Sequence, residues 1–333
     1  MWTASRASMR LTPHHDLRKS GSSKRFPRWE RSLCILVCAS PTHSSRPTLS
    51  FLATAAALLL GGCAHQASTL TSSADWQQTL AQWTDAQVIA LGEQHDQIAH
   101  HQWEAQTVRW LAAGQRLGAL VIEMAPSGGS TAGLATTSTE EQVQQALQWQ
   151  SGAAGGGWPW QDYGPMVMNA VRAGVPVLGG NLPRAQMKQT MSQSRYDSHL
   201  PASGWQLQLD AIKDGHCGLL PESQFAPMAR IQLARDESMA KVAATAVQQW
   251  SRPGQSVLLV AGRSHVRSDI GVPTWLPKDL RQKVAIAQSD KAPKAINMKA
   301  DKLLTLVGNA SQDQCAQLRE QWKSRPAPQT PAN

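Results

Sequence analysis

The sequence predicts an α/β fold: a mostly parallel central sheet flanked by helices, with a ligand cleft at the C-terminal ends of the strands. Short apolar runs rich in β-branched residues recur: Val88-Ile89-Ala90-Leu91, Leu120-Val121-Ile122, Val175-Pro176-Val177-Leu178 and Val257-Leu258-Leu259-Val260-Ala261. Each reads as a buried strand and is too short for a helix. Helical stretches separate them, the alternation that builds parallel sheets. Two of the runs also end alike, in Gly92-Glu93-Gln94-His95 and Gly262-Arg263-Ser264-His265, while the others run into Glu123 and Asn181. Right-handed crossovers point parallel strand ends one way, and open α/β sheets bind ligands along that edge. Adjacent strands lie about 4.8 Å apart, so their end residues reach a common ligand. Glu93, His95, Glu123, Asn181 and His265 are therefore expected in one cleft, with Arg184 and Asp236 close by. Removing either imidazole should weaken binding without unfolding the chain.

The remaining organisation follows in chain order. Residues 1–46 hold nine Lys/Arg against two acids, leaving 23 basic and 21 acidic residues for the rest of the chain. The formal charge of +9 is thus mostly N-terminal. It gives no basic face to the folded part, and nucleic acid is not an expected partner. A mis-assigned start codon or an unusually long signal n-region explains this extension. Arg46 then precedes an apolar run, Leu49 to Leu60, that closes in Leu60-Gly61-Gly62-Cys63. The run is too short for a membrane span and fits an export signal. Its end resembles a bacterial lipobox, in which the thiol of Cys63 is diacylated and Cys63 becomes the new N-terminus. Ala64-His65 follows, with no Asp, which points to the outer membrane. The expected domains are a signal region over residues 1–62, a tether over 63–74, one α/β domain over 75–323 and a Pro-rich disordered tail over 324–333.

Cysteine usage fits export. Cys34 and Cys38 precede the cleavage point and Cys63 carries lipid, which leaves Cys217 and Cys315. In an oxidising compartment these are a disulfide or two buried thiols.

Within the domain, Asp75 is expected to cap a short helix, Trp76 to Trp83. Ile98 to Ala113 reads as a long helix stopped by Gly114, with Ile98, Trp103, Val108 and Leu111 as its buried stripe. On it, His100 faces the cleft and His101 solvent. Ser138 and Glu141 form a capping box for a helix through Trp149. The Gly-rich loop 151–157 beside Trp158, Trp160 and Tyr163 is either a lid over a flat apolar ligand or a surface insertion with an aromatic plug. It carries no Lys-Ser/Thr, so it is not a phosphate loop. Arg184, opening a helix after Asn181, suits a carboxylate or propionate. Residues 191–221 read as irregular. Phe225–Trp250 is the longest helix, with Met228, Gln232, Arg235, Asp236 and Met239 on or near one face. Short strands near Val284–Ala287 and Leu303–Leu306 sit at the sheet edge.

Two function classes meet these residues. One is ligand binding, with a neutral imidazole from His95 or His265 as a ligand to a metal-bearing cofactor. Alternatively Glu93, His95, Glu123 and His265 hold a divalent metal and activate water, or Glu93 and His95 act as a metal-free acid–base pair. No Gly-x-Ser-x-Gly elbow exists, which argues against a serine hydrolase.

Leu91-Gly92-Glu93-Gln94-His95-Asp96, Ile122-Glu123, Asn181-Leu182-Pro183-Arg184, His216-Cys217-Gly218, Gln232 to Ala240, and Gly262-Arg263-Ser264-His265-Val266-Arg267 with Gly271-Val272-Pro273 together resemble the ChaN-like haem-binding lipoproteins. The resemblance runs in order from Val88 to Leu276. It implies an α/β fold, haem as cofactor, and a role in haem or iron acquisition at the cell envelope. It also implies a Tyr or His as iron ligand. Tyr163 lies in a Trp-x-x-Tyr stretch and joins His95, His265 and Arg184 as the expected haem contacts. A homodimer is compatible with this reading. The wider superfamily includes erythromycin-esterase-like hydrolases and Tiki-type metalloproteases. Intact-mass analysis of membrane-extracted protein is expected to find a lipid-modified Cys63 at the N-terminus; an unmodified N-terminus at another residue contradicts the export reading.

Overall fold

The computed structural model describes residues 70–150, 157–292, 297–309 and 314–323. The signal region, Cys63, most of the Gly-rich loop and the tail lie outside the described residues. The chain divides into two units, Met1–Cys63 and Ala64–Asn333, and every described element belongs to the second.

The elements alternate as the sequence predicts. In order they are α1 (Ser73–Gln82), β1 (Val88–Glu93), α2 (Ile98–Ala113), β2 (Leu117–Pro126), α3 (Glu140–Ala146), α4 (Trp160–Arg172), β3 (Val177–Asn181), α5 (Arg184–Thr190), α6 (Ala202–Gly215), α7 (Phe225–Trp250), β4 (Ser256–Gly262), α8 (Arg263–Val266), β5 (Gln282–Ser289), β6 (Lys302–Leu306) and α9 (Gln314–Lys323). The six strands form one sheet, in the order β3-β2-β4-β1-β5-β6, and every pairing is parallel. β1 and β4 are buried throughout, which is why they read as continuous apolar runs with no alternation.

Alternation reappears in which face each side chain joins. Ile89, Leu91, Leu258 and Val260 pack with Trp76, Leu80, Val108 and Met166 on one side. Val88, Ala90, Val257 and Leu259 pack with Met239, Ala243 and Val247 of α7 on the other. The sheet is thus the middle of three layers, each burying its own period-2 set.

The structure departs from the sequence reading at several points. α1 begins at Ser73, inside the stretch expected to be tether. Its N-cap is Ser72, whose hydroxyl accepts from the Asp75 N–H at 3.1 Å while the Asp75 carboxylate accepts from the Ser72 N–H at 3.1 Å. Asp75 is therefore the N3 member of a capping box. Thr71 is tied down as well: its N–H donates to the Thr305 carbonyl at 2.8 Å, pairing part of the edge that β6 would leave open. The second box sits one residue later than expected, on Thr139 and Gln142, and its helix stops at Ala146.

On α2, Ile98 is 56 % exposed while His100, His101 and Glu104 are buried. Helix α2 packs against both the sheet and α4, so a second face goes inside and takes polar residues with it. Residues 191–221, read as irregular, contain α6. Its inward positions are Gly204, Gln208 and Ile212, and a glycine and a glutamine in that row hide the apolar period. Cys217 and Cys315 are bonded, with Cα atoms 5.6 Å apart, so α9 is joined to the end of α6.

Candidate functional site at the strand ends

Glu93 closes β1, Glu123 lies near the end of β2, and Gly262 closes β4, whose next turn carries His265. Register places Glu93 beside Gly262 and Ile122 beside Val260. Both glutamates are 1 % exposed. A buried carboxylate requires partners, and each has its own set.

Glu93 Oε1 accepts from the Tyr163 hydroxyl at 2.9 Å and lies 2.7 Å from His95 Nδ1. An ionised carboxylate only accepts, so that nitrogen carries the proton, and Nε2 holds a lone pair when the ring is neutral. Burial lowers the His95 pKa, but the Glu93 hydrogen bond and the charges of Glu123 and Glu93 raise it overall. His101 Nε2 stands 3.0 Å from Glu93 Oε2. Burial raises the Glu93 pKa, but the hydrogen bonds to His101 and His95 outweigh it and hold it at about 2. The ring of His95 packs on the edge of Trp158, centroids 4.6 Å apart. It also lies on Gly262: a Cβ there would sit 2.7 Å from His95 Nε2. The strand-end glycine leaves room for the imidazole, which a larger residue would displace.

Glu123 accepts from the Gly262 N–H at 2.7 Å through Oε2 and from Arg235 Nη2 through Oε1. Asn181 joins the same pair, donating from Nδ2 to the Glu123 backbone carbonyl at 2.8 Å and accepting from Arg235 Nε at 2.9 Å. His265 Nε2 is 3.5 Å from Glu123 Oε1, and His265 Nδ1 is 2.5 Å from Asp236 Oδ1. Burial raises the Glu123 pKa, yet the charges of His265, Arg235 and His95 and the Gly262 N–H bring it to about 2. At Asp236 burial wins over the attraction of His265, and the pKa rises to about 6.

These groups border a cavity of about 900 Å³. Glu93, His95, Glu123, Asn181, Arg184, Asp236 and His265 all line it, together with Arg235, Arg263, Met124, Leu182, Met187, Trp158, Ile212 and His216. The expected convergence is therefore present in the geometry. Tyr163 is a correction: it is 1 % exposed, does not line the cavity, and reaches it through Glu93 and the ring of Trp158. Burial and the neighbouring Glu93 raise its pKa, so it stays a neutral donor. His100 and His101 both depart from expectation, since both are buried and neither lines the cavity. His101 faces Glu93, whereas His100 Nδ1 accepts the Gln94 N–H at 2.9 Å. His265 is placed so that its removal bears on stability as well as on binding. It is 8 % exposed and holds Asp236, so truncating it strands a buried acid. The metal set Glu93, His95, Glu123 and His265 is spent on internal pairs. Among the described residues, no group of three or more His, Cys, Asp or Glu side chains is placed to hold a metal ion.

Sequence reasoning put Arg235 on the α7 face with Asp236 but did not count it among the cleft residues. It missed Glu104, fully buried with both carboxyl oxygens unpartnered. Burial and the nearby Glu93 raise the Glu104 pKa well above the usual carboxylate range, so it stays neutral.

The paired carboxylates set the acid limit of stability. Glu123 goes from 4.5 to about 2 on folding, so its contribution is present above pH 4.5 and is lost as pH falls towards 2. Asp236 goes the opposite way, from 3.8 to about 6, and its cost is relieved as pH falls through 6. Glu123→Gln is expected to cost about 3–5 kcal/mol at pH 7, because it leaves Arg235 unpaired. Thermal melts should also show a shallower acid limb below pH 4.5; an unchanged limb contradicts the assignment.

The geometry can be set beside known proteins. In solved structures, ChaN of Campylobacter jejuni, described with cofacial haem binding, shares 21 % identity over 71 % of this chain and 92 % of its own, with a TM-score of 0.54. An erythromycin esterase in its open conformation shares 12 % over 66 % of this chain and 74 % of its own, with a TM-score of 0.36. No curated protein matches the sequence. A family model described as haem-binding uptake, Tiki superfamily, ChaN matches residues 79–276, a span that takes in every strand end of the cavity. The chain belongs to the ChaN-like haem-binding uptake family.

Proposed function

We propose that this protein binds haem in the strand-end cavity and serves haem or iron uptake as a lipoprotein of the cell envelope. The cavity carries the reading. At about 900 Å³ it lies at the large end of small-molecule sites. Met124, Leu182, Met187, Ile212 and Trp158 offer apolar and thioether surface to a flat macrocycle, while Arg184 and Arg263 line the same space for anionic groups. Propionates pair with guanidinium in such a site, and neutral imidazole supplies an iron ligand. The residues present therefore fit the group. Haem, once bound, supplies an iron centre for carriage; this chain's residues supply its shape, charge and ligation. The family description and the haem named for the Campylobacter jejuni relative support the same reading.

Envelope attachment in this proposal goes through lipid on Cys63. Among the described residues, no helix is long and apolar enough to cross a membrane.

One observation favours a second reading, an acid–base hydrolase of the wider superfamily. Glu93 fixes the tautomer of His95 so that Nε2 is basic at the cavity, the arrangement of a general base. Titration separates the two. Ferric haem added to the purified protein should give a saturable, shifted Soret band, and Arg184→Gln should weaken binding by about tenfold, the loss of one charge-assisted hydrogen bond. Absence of a shifted band contradicts the haem reading and leaves the hydrolase.

A further inference from the structure

We infer that His216, on the α6 side of the cavity, is the axial ligand to haem iron; this rests on the haem reading above. The chain has only two tyrosines, and neither phenol is available. Tyr163 donates to Glu93. Tyr196 donates to Glu237 at 2.9 Å, accepts from Arg195 at 2.6 Å, and lies away from the cavity lining. The ligand must then come from the imidazoles that line the cavity.

His265 has both nitrogens facing carboxylates, Asp236 and Glu123. His95 has Nδ1 on Glu93, and its Nε2 edge is laid on the Gly262 backbone, with Glu123 Oε2 beside the same point. Its ring is thus held by a carboxylate at the strand end, beside the ionised Glu93 and Glu123.

His216 makes no carboxylate contact among the described residues. It is the C-cap of α6, and the Ile212 carbonyl accepts both its backbone N–H at 3.1 Å and its ring Nδ1–H at 2.8 Å. A carbonyl oxygen has no proton to give, so the ring is the Nδ1–H tautomer and Nε2 holds the lone pair. Nε2 makes no hydrogen bond among the described residues. A ring N–H given to a backbone carbonyl is the outer contact that orients metal-bound histidines.

The backbone holds this ring in place. Cys217 follows with φ of 56° and Gly218 with φ of 69°, two left-handed residues that end the helix sharply. The Gly218 N–H closes on the Lys213 carbonyl at 2.9 Å. Cys217 is bonded to Cys315, so a helix end that would otherwise fray is covalently joined to α9. The disulfide, one residue from His216, thus acts as a positioning device for the ligand.

The test is optical and paramagnetic. Ferric haem is titrated into the wild-type protein, His216→Ala, His216→Met and His199→Ala, with folding checked by circular dichroism. His199 stacks on Trp275, lies away from the cavity lining and serves as control. Wild type and His199→Ala should share one Soret maximum and one EPR signature of histidine ligation. His216→Ala should lose that signature and bind at least tenfold more weakly, and added imidazole should restore the spectrum. His216→Met, which keeps bulk and changes the donor, should give a third spectrum. A folded His216→Ala protein whose bound haem keeps the wild-type spectrum overturns the assignment and leaves haem binding intact. No haem spectrum from the wild type overturns both.

Discussion

The Glu123 carboxylate, buried between β2, β4 and α7, is the contact on which the site depends. It takes the Gly262 N–H on one oxygen and Arg235 on the other, and His265 stands beyond. A buried ion pair adds little net stability, because desolvation offsets the attraction. Its effect here is on position. It fixes the strand end of β4, against which His95 lies, and it draws Arg235 and the adjoining Asp236 of α7 to the sheet edge. Asp236 in turn holds His265. Removing Glu123 therefore disturbs three elements at once, while most single contacts elsewhere join two.

Two layers of polar groups result. The inner layer pairs internally, Glu93 with Tyr163, His95 and His101, and Glu123 with Arg235 and His265, while Glu93 Oε2 and His101 Nε2 make no hydrogen bond beyond their mutual contact and Asp236 Oδ2 makes none. These pairs keep ionised carboxylates at a buried edge and leave no vacant set of ligands for a metal ion among the described residues. The outer layer meets the cavity with arginines, thioethers, an indole and an imidazole whose Nε2 has no internal partner. That division suits a site that holds an anionic, apolar, iron-bearing disc.

How much of this the sequence revealed depended on the residue's surroundings. Val88 to Leu91 and Val257 to Ala261 were legible because a strand buried on both faces is a continuous apolar run, and a glycine with charged followers marks its end. Glu93, Glu123 and His265 followed directly, since parallel order converts separation along the chain into proximity at one edge. His101 was misplaced because two-sided burial of α2 against the sheet and α4 leaves no single polar face to read. α6 was missed because Gly204 and Gln208 interrupt its inner row. His216 carried no periodic signal at all; its role follows from a carbonyl one turn back and a disulfide to a residue 98 positions away. The pairing of Cys217 with Cys315 was open in sequence, since oxidation permits a bond and only the geometry joins the ends.

The central claim is that ligand binding occupies the cavity where the strand ends meet α5 and α6. Hydrogen–deuterium exchange with and without saturating ferric haem tests it most directly, because exchange reports local opening segment by segment. The account predicts new protection in residues 92–96, 123–126, 181–187 and 208–218, with β6 and α9 beyond the disulfide little changed. Protection confined to other surfaces, in a sample whose Soret band shows haem bound, would contradict it.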